Sequence, residues 1–355
     1  MPLVAHSDLP TFERLRREGH EILDPQRAKR QDIRELHIGF LNLMPDAALA
    51  ATERQFLRLI GASNRIAQLF VHPFTMAGVE RSGAARERVE QYYEPFDELR
   101  REGLDALIVT GANVTEADIT REAFWEPLIE VLDWGRRNTA SILCSCLASH
   151  AVFQWLHGVQ RTHLPAKRWG VFSHRVTDRA HPLVAGINTR FETPHSRFND
   201  VARNRMEAAG LRVLVESDEG GVLVATSPDG FRFVYFQGHP EYDRESLLKE
   251  YKREVGRYLR AECEEYPPFP VHYFPPRVAA RFEDYRADAE RARNAGDAAP
   301  EFPEDEVLPD LDNTWTDTGK ALVNNWLGLV YQLTDYDRRR PYAPGVDPSD
   351  PLRLR

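Results

Sequence analysis

Residues 139–158, TASILCSCLASHAVFQWLHG, decide how the rest of the chain is read. The first seven are short and apolar, the pattern of a buried strand. From Cys146 onward Leu147, Ala151, Val152 and Leu156 recur at helical spacing until Gly158 offers a stop. Strand and helix meet with no linker between them. A strand that delivers the chain straight into a helix is the repeating unit of a parallel α/β sheet.

Working outward, the same alternation precedes this stretch. LHIGFLNLM (36–44) reads as a strand and PDAALAATERQFLRLIG (45–61) as a helix in which Phe56, Leu57 and Ile60 share a face. RIAQLFVHPF (65–74) is a second strand, 84–103 a charged helix, and DALIVTGA (105–112) a third strand ending at glycine. REAFWEPLIEVLDWGRRN (121–138) supplies the helix before the quoted strand. Beyond Gly158 the runs LRVLVES (211–217), GVLVATS (221–227) and FRFVYFQGHP (231–240) are short and alternating, as antiparallel or edge strands of the same sheet would be. A helix is expected at 243–262. Residues 264–312 are rich in proline and acid, an extended wrapping segment with one helical piece at 278–295. A docking helix at 324–333 and a loose tail from 337 complete the chain. The expected fold is α/β: a doubly wound, mostly parallel sheet flanked by helices. Its expected parts are an N-terminal arm (1–34), a catalytic domain (35–262) and a C-terminal extension (263–355).

Composition narrows the function. The chain has 355 residues, of which 42% are hydrophobic, so it can bury a large core. Its net charge of −9 argues against general binding to nucleic acid or to a membrane surface. No stretch reaches the roughly 18 apolar residues of a membrane span, and the first twenty residues lack an apolar signal block. Three cysteines cannot all pair internally, so the thiols are expected to be reduced and the protein cytoplasmic.

Two places carry chemistry. Cys146 stands where the strand becomes a helix, beside unpaired backbone N–H groups and the positive end of a helix dipole, which favours a thiolate. His239 and Glu241 follow a strand end at FVYFQGHPEYD (233–243), a base with a carboxylate to orient it. Each alone has an ordinary explanation: Cys146, like Cys144 two residues before it, as a small buried residue, and HPEY as a surface turn. Together they match the way an α/β sheet assembles a Cys-His-Glu triad. A zinc site fits poorly, because cysteines 144 and 146 are too close for the usual C-x₂₋₄-C spacing, so no metal is expected. A non-enzymatic binding module stays open at this stage.

At these residues the chain resembles the homoserine O-acyltransferases of the homoserine O-succinyltransferase family, whose flavodoxin-like core is similar to class I glutamine amidotransferases. The resemblance runs through LNLMP (41–45), TERQFLRL (52–59), DALIVTGA (105–112), the Cys146 junction, GVFSH (170–174), PHSRF (194–198), GHPEYD (238–243) and NNWLGLVYQLTDYD (324–337). It implies a ping-pong transfer from acyl-CoA to homoserine in methionine biosynthesis, with Cys146 acylated, His239 as base and Glu241 as its partner. It further implies that Lys167, Ser196 and Arg253 bind substrate, that Leu147 N–H serves the oxyanion hole, and that a dimer forms. Acyl-CoA is then a co-substrate, with no permanently bound cofactor. In the family one residue after VTGA selects the acyl group, glycine going with succinyl and glutamate with acetyl. Thr115 falls there, which favours succinyl, whereas a shift by one would bring Glu116 and favour acetyl. The segment DAALAA (46–51) departs from the family's shorter, lysine-bearing path, so contacts with acyl-CoA there are expected to differ. A glutamine amidotransferase or related thiol hydrolase is the nearest rival, but Ser145, Leu147 and Ala148 stand where such enzymes need glycines around the nucleophile.

Overall fold

The computed structural model describes residues 3–63 and 66–354. Outside it lie residues 1, 2, 64, 65 and 355, hence the outermost residues of the expected arm and extension and the first residue of the strand read at 65–74. The strands are β1 (Glu35–Leu41), β2 (Gln68–Phe74), β3 (Ala106–Val109), β4 (Ser141–Ser145), β5 (Thr162–Val176), β6 (Arg190–Asp200), β7 (Arg212–Ser217), β8 (Gly221–Thr226) and β9 (Phe233–Phe236). Among the described residues they form one nine-stranded sheet in the order β2-β1-β3-β4-β9-β8-β7-β5-β6. The pairings from β2 to β9 are parallel, and those from β9 to β6 are antiparallel.

The helices are α1 (Pro10–Arg17), α2 (Pro25–Lys29), α3 (Asp46–Ser63), α4 (Gly83–Tyr92), α5 (Phe96–Glu102), α6 (Trp125–Asn138), α7 (Leu147–His157), α8 (Arg203–Ala208), α9 (Ser246–Leu259), α10 (Pro276–Ala295), α11 (Glu304–Val307) and α12 (Thr316–Leu333). Both faces of the parallel half are covered, which is why strands such as β4 are buried at every residue. One face packs Ile38 and Ile108 against Phe56 and Ile60 of α3 and Trp326 and Leu327 of α12. The other packs Leu107 and Ile142 against Leu128 and Leu132 of α6 and Val152 and Phe153 of α7. A third cluster joins Trp169 of β5, Tyr251 of α9, Phe282 of α10 and Trp315.

The α/β architecture is therefore the one expected, with several local corrections. The helix read at 84–103 is two helices, because the chain turns at Pro95 and Glu94 N–H donates to Pro73 O at 2.8 Å. The longest strand, β5, escaped the reading. Its polar run around Pro165 pairs with β6 through a register shift between His163 and Arg168. The arm holds two short helices, and Leu9, Phe12 and Leu15 join the main core. The last helix starts at Thr316 rather than 324, its small residues admitting Pro240: a β-carbon on Gly319 would stand 2.9 Å from Pro240 O. The tail is not loose. Tyr342 OH donates to Ala140 O at 3.0 Å, with its ring under the guanidinium of Arg232. Among the described residues no helix is long and apolar enough to cross a membrane.

Candidate active site

Strand register brings the two chemical spots together. In the parallel pairing of β4 with β9, Ser145 lies opposite Phe236, so Cys146 and the segment Gln237-Gly238-His239 leave neighbouring strands at the same edge of the sheet. Cys146 N–H donates to Phe236 O at 2.6 Å across that edge. The residue has φ 51° and ψ −109°, a conformation that costs an L-residue of order 1–3 kcal/mol and lifts its side chain off the sheet at the start of α7. Gly111, at the end of β3, closes the other side: a β-carbon there would stand 3.5 Å from Cys146 Cβ and 3.9 Å from Leu147 N. Leu147 is the first residue of α7, where a backbone N–H has no acceptor within the helix.

His239 is held in the opposite wall. Its N–H donates to Pro194 O at 2.8 Å, its ring stacks on Tyr242 with centroids 4.4 Å apart, and its Nδ1 lies 2.7 Å from Glu241 Oε1. The remaining ring nitrogen, Nε2, is left for Cys146, which leaves the neighbouring strand at the same edge of the sheet. Burial works against the imidazolium, but the Glu241 carboxylate, with the neighbouring Cys146, outweighs it and pushes His239 up to about 10. Cys144 is fully buried, and its burial raises its thiol far above the ordinary range, so it offers no competing nucleophile.

The turn that carries these groups is clamped by α3. Arg54 and Arg58 both form ion pairs with the Asp243 carboxylate, Gln55 Nε2 donates to it at 3.3 Å, and Arg58 Nη2 donates to Glu241 O at 2.9 Å. DAALAA forms the opening turns of this same helix. Tight packing continues at Gly238, where a β-carbon would meet the His195 ring at 2.8 Å and Leu223 at 2.7 Å.

Lys167 and Ser196 also reach the site, through a residue the sequence reading missed. Glu250 Oε2 accepts from Lys167 Nζ at 2.9 Å and Ser196 Oγ at 2.6 Å, and its Oε1 accepts from Tyr242 OH at 2.9 Å. Burial disfavours the Glu250 carboxylate, yet Lys167 and the two hydroxyls hold its pKa below the usual value. The signal was present: Glu250 lies between Leu247 and Tyr251 on the apolar face of its helix, where a carboxylate needs partners. Arg253 lies one turn further on, exposed, with its guanidinium 3.3 Å from Glu254, and it makes no hydrogen bond to the triad among the described residues. Thr115 is exposed, and its N–H and that of Glu116 each donate to Glu122 Oε1 at 2.7 Å.

Metal-ligating side chains gather elsewhere. His6, His72 and Glu94 bring ligand atoms within 4.8 Å of one another, with His72 Nδ1 2.7 Å from Glu94 Oε1, near β2 rather than at the triad.

The chain is similar to known proteins along its whole length. A family model described as homoserine O-succinyltransferase matches residues 2–336. Proteins named homoserine O-succinyltransferase from Methylococcus capsulatus and Allochromatium vinosum are 62% and 60% identical to the chain, covering all of it and 100% and 99% of their own lengths. One from Nitrosococcus oceani is 56% identical, again over all of this chain and 99% of its own. Among solved structures, a glutamine amidotransferase from Thermotoga maritima aligns with 84% of this chain and 98% of its own at 11% identity, with a TM-score of 0.41. Matched from end to end by its relatives, the chain belongs to the homoserine O-succinyltransferase family.

Proposed function

We propose that this protein moves a succinyl group from succinyl-CoA to the hydroxyl of L-homoserine through a thioester on Cys146. The observation that carries the reading is the convergence of Cys146 and His239 at one edge of the sheet, with Glu241 bonded to the far side of the imidazole. His239 takes up the Cys146 proton and frees the sulfur as the nucleophile. The sulfur attacks the thioester carbonyl, the bond to the CoA sulfur breaks, and His239 gives its proton to the departing CoA thiolate. Having given up that proton, His239 is left as a neutral base. It then takes the homoserine hydroxyl proton as the oxygen attacks, and Cys146 leaves as thiolate to restore the pair. Glu241 fixes the ring so that Nε2 faces the reaction throughout. Leu147 N–H, beside Gly111, is positioned to stabilise both tetrahedral oxyanions.

Lys167 and Ser196, gathered by Glu250, line the acceptor side in this reading. The donor and acceptor follow the name borne by relatives of full length. Intact-protein mass spectrometry after brief exposure to succinyl-CoA, without homoserine, tests it. The expected result is one succinyl adduct, lost in Cys146→Ala and discharged by homoserine. Absence of an adduct, or an adduct that survives in Cys146→Ala, overturns the mechanism.

A further inference from the structure

Among the described residues, a cation ties down the loop that leads away from the nucleophile. Arg161 lies in the short connection between α7 and β5. Its Nη2 donates to Glu116 O at 2.9 Å and Ala117 O at 3.3 Å, tying down the loop that follows β3. Its Nε and Nη1 are buried and have no hydrogen-bond partner among the described residues. That loop starts against the nucleophile, since a β-carbon on Gly111 at its head would stand 3.5 Å from Cys146 Cβ.

Nearby carboxylates do not neutralise it. Glu122 and Asp118 act on Arg161 across space, but neither forms an ion pair with it among the described residues. Both are committed: Glu122 Oε1 accepts from the N–H groups of Thr115 and Glu116, and Asp118 Oδ1 accepts from the N–H and hydroxyl of Thr120, at 3.0 and 2.8 Å. Two buried guanidinium donors left without acceptors are costly, and a carboxylate satisfies such donors well, because hydrogen bonds from a cation to an anionic oxygen are the strong ones.

We propose that Arg161 is a specificity-determining residue, binding the free carboxylate of a dicarboxylic acyl group while its other end is joined to Cys146. This rests on the acyl-enzyme reading above and adds the means by which succinyl is chosen over acetyl. An acetyl group has no carboxylate to offer and leaves the two donors unmatched, so discrimination arises at the donor's far end. The bonds to Glu116 O and Ala117 O fix the guanidinium and leave Nε and Nη1 for the acyl carboxylate.

The test compares kcat/KM for succinyl-CoA and acetyl-CoA in the full-length wild type, Arg161→Gln and Arg161→Lys. The ratio of succinyl to acetyl is expected to fall by about 100-fold in Arg161→Gln, the worth of a charge-assisted contact, with partial recovery in Arg161→Lys. An equal loss on both donors would mean that Arg161 only braces the loop, and it overturns the proposal, as does a ratio that stays at the wild-type value. If the wild type itself is acylated by neither donor, the failure lies in the acyltransferase reading, and the inference falls with it.

Discussion

At the scale of single residues, the chemistry turns on how one imidazole is flanked. His239 binds its proton more tightly in the folded protein, with a pKa of about 10, than in the unfolded chain, where the value is 6.5. The pair's contribution to stability is therefore complete below about pH 6.5 and is lost as the pH rises through about 10. Because burial alone would lower the value, Glu241→Gln removes the main counterweight, and NMR titration of the His239 ring is expected to move down by about one unit or more. The same substitution should cut kcat by about 100-fold or more through loss of the ring's orientation. An unchanged titration would deny Glu241 that role. Gly238→Ala belongs to this scale too: its β-carbon meets the His195 ring and Leu223 well inside contact distance, so a loss of roughly 1–3 kcal/mol should appear in urea unfolding.

At the scale of elements, α3 acts as a clamp on the turn after β9. Arg54, Gln55 and Arg58 lie at positions of one helix that converge on Asp243, and the side chains of Arg54 and Asp243 are both almost fully buried. Asp243→Asn leaves two guanidinium groups facing a neutral amide, with an expected cost of about 3–5 kcal/mol in denaturant unfolding. If the turn keeps its place through its other contacts, the destabilised enzyme should retain kcat but lose its resistance to heat. The motif TERQFLRL was legible as a helix. Its purpose was not, because an arginine on a helix reads as surface charge until the element it faces is known.

At the scale of the whole molecule, distant segments complete the sheet's support. Trp326 of α12 is buried against the main core and donates from Nε1 to Ser141 Oγ at 2.9 Å, at the start of the strand that ends in Cys146. Arg34 reaches from just before β1 to the carbonyls of Tyr331, Thr334 and Asp335 at the end of the same helix. Trp326→Ala should therefore cost about 3–5 kcal/mol and lower the midpoint of chemical unfolding; a shift no larger than that of a surface substitution would show that α12 is dispensable to the core.

The sequence by itself determined the parallel strand-helix order, the Cys146 junction and the HPE turn, because those depend on local periodicity and on which residue types end a strand. Tertiary structure alone decided that Glu250 gathers Lys167 and Ser196, that Arg253 faces outward, and that Arg161 keeps two buried donors without partners among the described residues. Such facts depend on which faces of separate elements meet, and burial and charge compensation are set only at that meeting.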